Sequence, residues 1–208
     1  MAPPTFRLCF LLSRDLCAGR DPLLVLEAAV RGGVDCVQMR EKELDGPELH
    51  AWGLRLRRAC RRLGVPLIVN DRLELALALE AEGVHLGQDD LHPADARRLA
   101  GDRLWIGWST HDLEQLDEAA EVGADYAGFG PVFATPTKGY ETGLGPEAVA
   151  AALAIARLPV VAIGGIRPEN AWMIPDQAAV AVSSGIGLAA DPEAAARGIR
   201  AARNPERL

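Results

Sequence analysis

The sequence predicts an α/β fold, a TIM (β/α)8 barrel forming a single domain over residues 1–208. Three observations predict it. Short apolar runs alternate with longer amphipathic segments, giving eight strand–helix pairs at roughly 25-residue intervals. The phrases GGVDCVQMR, AEGVHLGQ and VGADYAGFGP repeat one unit, a glycine-marked helix end feeding a short strand. Polar clusters follow the apolar runs, as they do on the C-terminal rim of a closed parallel barrel. An open doubly wound sheet is the alternative, because a count of eight does not prove closure.

The expected strands are residues 8–12, 36–39, 66–69, 84–86, 104–107, 126–129, 160–163 and 180–182. After the second, Leu49, Trp52, Leu56, Ala59/Cys60 and Leu63 recur at helical spacing. Arg57, Arg58, Arg61 and Arg62 fall on the opposite face and read as solvated surface. Leu113, Leu116 and Ala120 repeat the pattern after the fifth strand. Helix 7 looks short because Pro175 interrupts or ends it. The last helix starts near Pro192, an N1-type proline after Asp191.

The chain's size and its hydrophobic content of 49% suit one well-cored globular domain. A net charge of -7 argues against a broad nucleic-acid or anionic-membrane surface, although a small basic pocket is compatible with it. All but Lys42 and Lys138 of the 22 basic residues are arginine. Cys9, Cys17, Cys36 and Cys60 have no metal-binding spacing and read as reduced, buried thiols of a cytoplasmic protein. No apolar run approaches the roughly 18 residues of a membrane span, and the stretch at 8–12 is too short for a signal peptide. The expected partners are small molecules, with neither nucleic acid nor membrane among them. Monomer and homodimer both remain open.

The candidate chemistry is distributed along one rim. Strand alternation sends Gln38 and Arg40 the same way, and Lys42 continues the line. An arginine fork beside a mobile lysine suits a diphosphate, although a solvated charge run reads equally well from REKELD alone. Asn70 and Asp71 after the third strand either cap the next helix or face a ligand. Asp71 and Asp90 could share a hard cation with water and phosphate oxygens, as magnesium sites do; Asp89 is the adjacent decoy. His85 lies inside its strand, as suited to a barrel interior as to ligand contact. Ser109 and His111 follow the fifth strand, and His111 either meets substrate or orients its loop. Neither a serine–histidine–acid triad nor a metalloprotease motif is present.

Two further loops carry anion-binding features. In GPVFATPTKG, Thr135 and Thr137 supply hydroxyls and Lys138 a cation, while prolines stiffen the backbone. Gly139 and Gly143, flanking Tyr140 and Glu141, suggest that part of this loop moves over the site. After the last two strands come Gly164/Gly165 and Ser183/Ser184/Gly185, where barrels commonly bind phosphate through backbone N–H groups. Two anionic subsites are therefore expected, one near Gly165/Ser184/Gly185 and one near Arg40/Lys42/Asp71/Asp90.

VQMREK, IVNDRLELAL, GVHLGQDD, IGWSTH, ADYAGFGPVFATPTKG, VVAIGGIRPEN and VAVSSGI together resemble the motif series of the thiamine-phosphate synthase family, over about residues 7–200. The resemblance implies a TIM barrel that joins an aminopyrimidine diphosphate to a thiazole phosphate, releasing pyrophosphate. It implies that Gln38 contacts the pyrimidine and that Arg40, Lys42, Asn70, Ser109 and Lys138 bind pyrophosphate. It further implies Mg²⁺ held by Asp71 and Asp90. Thr135, Thr137, Gly165, Ser184, Gly185 and Ile186 then hold the thiazole phosphate, the last four mostly through backbone. In that role Arg40, Lys42, Ser109 and Lys138 are the catalytic candidates.

The chain departs from the family pattern at Met39, in LLSRD near the start, at Ser183, and in the Asp176–Val180 approach to strand 8, which can reshape the phosphate subsite. A sister family of thiazole tautomerases shares the barrel and uses a histidine whose counterpart here is His111. A non-catalytic phosphometabolite-binding barrel is the third reading. Lys42, Asp71, Asp90 and Lys138 together favour the synthase.

Overall fold

The computed structural model describes residues 4–135 and 141–203. Eight parallel strands close into a barrel in chain order: β1 Leu8–Leu12, β2 Cys36–Met39, β3 Leu67–Asn70, β4 Gly83–Leu86, β5 Trp105–Thr110, β6 Tyr126–Phe129, β7 Val160–Ile163 and β8 Ala179–Val182. β1 pairs with β8 through Cys9 and Ala181, which removes both sheet edges and excludes the open sheet.

The helices are α1 Pro22–Arg31, α2 Gly46–Leu63, α3 Leu73–Ala78, α4 Pro93–Ala100, α5 Leu113–Glu121, α6 Pro146–Ile155, α7 Ser184–Gly187 and α8 Pro192–Ala202. Local chemistry sets their starts. Proline occupies the first helical turn of α1, α2, α4, α6 and α8, where its missing N–H costs nothing. Asp21 and Asp191 cap α1 and α8 by accepting from the N–H groups of Leu23 and Ala194.

Apolar residues divide into two packed sets. Leu8, Phe10, Val37, Leu67 and their equivalents pack outward against the helices, around Trp52, Leu56 and Ala59 of α2. Their alternating neighbours Cys9, Cys36, Ile68, Tyr126, Val161 and Ala181 fill the barrel interior. All four cysteines are free and buried.

Two expectations need correction. The expected strand–helix pairing fails after β7, where the described residues hold only a three-residue 3-10 turn at Ala171–Met173. Pro175 cannot continue a helix, and Asn170 ties the loop into another shape, accepting from Arg167 N–H and donating to the Gly165 carbonyl. Arg57, read as solvated, is 8% exposed and pairs with Glu82 at 2.8 Å. Glu82 comes from the loop before β4 and also accepts the Leu67 N–H, so this pair joins α2 to two strands.

Candidate active site

A cleft enclosing about 1100 Å³, part of it open to solvent, sits at the C-terminal ends of the strands. Strand alternation builds its floor. Leu11, Gln38, His85, Ser109, Gly128, Ile163 and Ala181 all line it, each two residues beyond an inward-facing position lower in its strand or facing one across the sheet. Gln38 is only 5% exposed, so its amide meets the cleft and little bulk water.

The wall after β2–β5 carries the charge. Arg40 and Lys42 both line the cleft, and among the described residues neither forms an ion pair. The backbone between them is pinned from behind. Arg40 N–H donates to Leu12, Ser13 Oγ donates to the Arg40 carbonyl, and the Glu41 carboxylate accepts from Arg14 N–H at 3.1 Å. Burial pushes the Glu41 carboxyl above its ordinary range, while Arg14 draws it back down.

Asn70 and Asp71 line the cleft as well, and Arg72, at the N-cap of α3, gives no side-chain cap among the described residues. Asp71 has φ +65°, and Arg72 N–H closes back onto the Asn70 carbonyl at 2.8 Å. That i to i+2 bond around a positive φ is the rare, strained form of γ-turn. Asp71 N–H is itself bound to the His85 carbonyl at 2.8 Å, which locks the turn to β4. Asp90 Oδ2 accepts the N–H of Gly87, a cleft residue, at 2.6 Å.

The donor set fits magnesium. Among the described residues no three His, Cys, Asp or Glu side chains converge on one point. Magnesium is commonly held by one or two carboxylates while substrate phosphates and water supply the rest. Asp71 supplies a carboxylate on the cleft wall, and Asp90 retains lone pairs beyond its one backbone contact among the described residues.

The opposite wall is mostly backbone. After β6 the chain runs alongside β7, with Val132 N–H on the Ile163 carbonyl and Phe133 N–H on that of Gly164. This brings Thr135 to the cleft. A Cβ on Gly165 would stand 2.6 Å from the Ala134 carbonyl oxygen, and its φ of +65° disfavours other residues, so glycine is required for this approach. Ser184 and Gly185 line the cleft at the first turn of α7. Ile186 does not: it is fully buried, and its N–H is committed to the Ser183 carbonyl, so it supports the turn from below.

His85 is 8% exposed, with Nδ1 3.0 Å from the Tyr126 hydroxyl and Nε2 3.0 Å from Ser109 Oγ. His111 lines the cleft with Nδ1 2.6 Å from the Gly130 carbonyl, so that nitrogen carries the proton and donates. Thr137, Lys138 and the Tyr140 loop tip lie outside the described residues. Three contributors escaped the sequence reading. Thr110 lines the cleft and donates to the Gly128 carbonyl, Arg167 adds a cation to the backbone wall, and Tyr126 lies beneath His85. Arg167 had a signal, since it directly follows the Gly-Gly rim of β7; Tyr126 read only as strand.

Fold and cleft together define a (β/α)8 barrel enzyme with a basic wall and a backbone wall facing each other across its C-terminal rim. The chain belongs to the thiamine monophosphate synthase family, whose sequence model matches residues 8–186. A thiamine-phosphate synthase from Chlorobium luteolum is 44% identical over 96% of this chain and 94% of its own. One from Syntrophomonas wolfei is 43% identical over 96% and 97%. The solved thiamine phosphate pyrophosphorylase from Pyrococcus furiosus superposes with a TM-score of 0.86 at 32% identity, covering 96% of each chain.

Proposed function

We propose that this chain makes thiamine phosphate, the product for which its relatives are named. It transfers the 4-amino-2-methylpyrimidin-5-ylmethyl group from its diphosphate to the nitrogen of a thiazole phosphate, releasing pyrophosphate. The observation that carries this reading is the pair of opposed walls. Arg40 and Lys42, without ion pairs among the described residues, stand on one side of a cleft, and the Gly165/Ser184/Gly185 backbone stands on the other. Cations that line the cleft without an ion pair among the described residues, Arg40 and Lys42 on one wall and Arg167 on the other, make sense in a chain of net charge -7 when the ligand brings the negative charge.

Each residue then has a task. Arg40, Lys42, Asn70 and Ser109, with Lys138, hold the diphosphate and offset the charge that builds on it as the C–O bond breaks. Asp71 and Asp90 hold Mg²⁺, which when bound supplies further Lewis-acid neutralisation of the leaving group. Gln38, sheltered from water on the floor, orients the pyrimidine through its amide. Thr135, Thr137, Gly165, Ser184 and Gly185 hold the thiazole phosphate so that the ring nitrogen faces the methylene carbon. Departure of pyrophosphate leaves a pyrimidinylmethyl cation that its own amino group stabilises, so no strong protein base is needed. Keeping water away from that cation prevents its capture as the alcohol. Four buried free thiols support a reducing, cytoplasmic setting.

Incubation with the aminopyrimidine diphosphate, the thiazole phosphate and Mg²⁺ tests this. Pyrophosphate and thiamine phosphate are expected in equal amounts, and only with both substrates and metal present. No pyrophosphate above the enzyme-free control refutes the reading. Tautomer exchange of a carboxylated thiazole phosphate without condensation would select the isomerase instead.

A further inference from the structure

Beneath the basic wall, a line of side chains crosses three strands. The Tyr126 hydroxyl on β6 meets His85 Nδ1 on β4, and His85 Nε2 meets Ser109 Oγ on β5, each at 3.0 Å. Tyr126 and His85 are buried, whereas Ser109 is half-buried and lines the cleft. The space they use exists because two strand positions are glycine. A Cβ on Gly107 would lie 2.1 Å from Tyr126 Cζ and 2.5 Å from His85 Nδ1, and one on Gly128 would lie 3.0 Å from His85 Cε1. Glycine inside a strand weakens it and marks a close approach. Here two adjacent barrel strands carry one around the same imidazole.

The hydrogen-bond directions follow from the donor inventory. Burial, with Cys9 and Cys36 nearby, pushes the Tyr126 hydroxyl well above its ordinary pKa, so it keeps its proton. Among the described residues that hydroxyl has no other hydrogen-bond partner, so it donates to His85 Nδ1. An imidazole accepting at Nδ1 carries its hydrogen on Nε2, which therefore donates to Ser109 Oγ. The Ser109 hydrogen cannot point back along the Nε2–H bond and is left for an acceptor in the cleft.

We propose that Tyr126 and His85 are positioning residues for Ser109, fixing its hydroxyl as a donor aimed at a diphosphate oxygen. This rests on the reading of Ser109 as a diphosphate contact. The arrangement spares the substrate the work of orienting a rotor, which is what preorganised electrostatic stabilisation requires.

The two nitrogens of His85 can be replaced separately. His85→Asn offers a partner near the Nδ1 position but does not reach Ser109, whereas His85→Gln places an amide nitrogen near the Nε2 position. Both are made with Ser109 present and in a Ser109→Ala background. Readouts are kcat and KM for the aminopyrimidine diphosphate, and the affinity for inorganic pyrophosphate with Mg²⁺ by calorimetry. With Ser109 present, His85→Asn is expected to lower kcat/KM by about 10- to 100-fold. In Ser109→Ala the same change costs almost nothing further, and His85→Gln recovers most of the loss. Tyr126→Phe, which removes one oxygen and keeps the ring, runs the same comparison should His85→Asn not fold.

Equal losses in both backgrounds overturn the proposal, as does a His85→Gln variant as impaired as His85→Asn at unchanged thermal stability. If the wild-type protein forms no thiamine phosphate, the synthase reading fails separately. Pyrophosphate affinity then decides the positioning role by the same double comparison. Wild-type protein that binds no pyrophosphate overturns it.

Discussion

Asp71→Gly separates the conformational cost of Asp71 from its chemistry. The residue sits at φ +65° inside a closed γ-turn, clamped by the 2.8 Å bonds from Arg72 N–H to Asn70 and from Asp71 N–H to His85. A non-glycine residue there carries about 1–2 kcal/mol of strain that glycine relieves. The added freedom of glycine in the unfolded chain costs back about 0.4–1 kcal/mol. The net is a gain of about 0–1.5 kcal/mol, and for a chain of this size each kcal/mol moves Tm by about 2–4 °C. Compared with Asp71→Ala, which removes the same carboxylate and keeps the strain, Asp71→Gly is therefore expected to melt at the same temperature or a few degrees above it. The carboxylate is lost at the same time, so kcat/KM is expected to fall by at least about 100-fold, with more Mg²⁺ needed for half-maximal rate. Thermal unfolding and a pyrophosphate-release assay across Mg²⁺ concentrations read the two effects separately. A Tm clearly below that of Asp71→Ala refutes the strain argument, and wild-type turnover refutes the assignment of Asp71 to the metal.

Other outcomes follow from the same geometry. Gly165→Ala pushes a Cβ to within 2.6 Å of the Ala134 carbonyl, so KM for the thiazole phosphate should rise more than tenfold while that for the diphosphate changes less; equal changes in both contradict the two-wall assignment. Glu82→Ala leaves Arg57 buried and the Leu67 N–H unpaired, a loss of about 3 kcal/mol that denaturant unfolding would detect. Burial raises the thiol of Cys17 to about 11 and that of Cys60 to about 12. Both lie above the ordinary value of 9.0, so the stability they contribute is fully present below pH 9 and lost as pH climbs toward 12. Denaturant midpoints should stay level to about pH 9 and then fall, less steeply in a Cys17→Ala, Cys60→Ala variant; an equal fall in that variant points to other groups.

The fold was legible because the barrel's alternation is written locally. Apolar runs of four or five residues mark the strands, and Asp-Pro pairs at Asp21-Pro22 and Asp191-Pro192 mark helix starts. β5 runs on to Thr110, beyond the expected end at Gly107, because Ser109 and Thr110 pair with Gly128 and Phe129. Their polarity read as loop, yet both line the cleft, Thr110 with its hydroxyl on the Gly128 carbonyl. The missing helix after β7 was foreshadowed by Pro175, but the loop's actual path depends on Asn170 bonding to Arg167 and Gly165, which no local pattern encodes.

The candidate site was legible to the extent that rim position and side-chain chemistry coincide. Gln38, Arg40, Lys42, Asn70, Asp71, Ser109, Thr135, Gly165, Ser184 and Gly185 all reach one cleft. Ile186 is buried with its N–H on the Ser183 carbonyl, and Asp90 meets the cleft residue Gly87 through its Oδ2. The Tyr126–His85–Ser109 line was invisible, since its members lie on three strands and meet only when the barrel closes.

A crystal structure with thiamine phosphate, pyrophosphate and Mg²⁺ bound tests the opposed-wall account most directly. The account predicts pyrophosphate against Arg40, Asn70 and Ser109, and the thiamine phosphoryl group on the backbone of Gly165, Ser184 and Gly185. Both anions on one wall, or either outside the cleft, would contradict it.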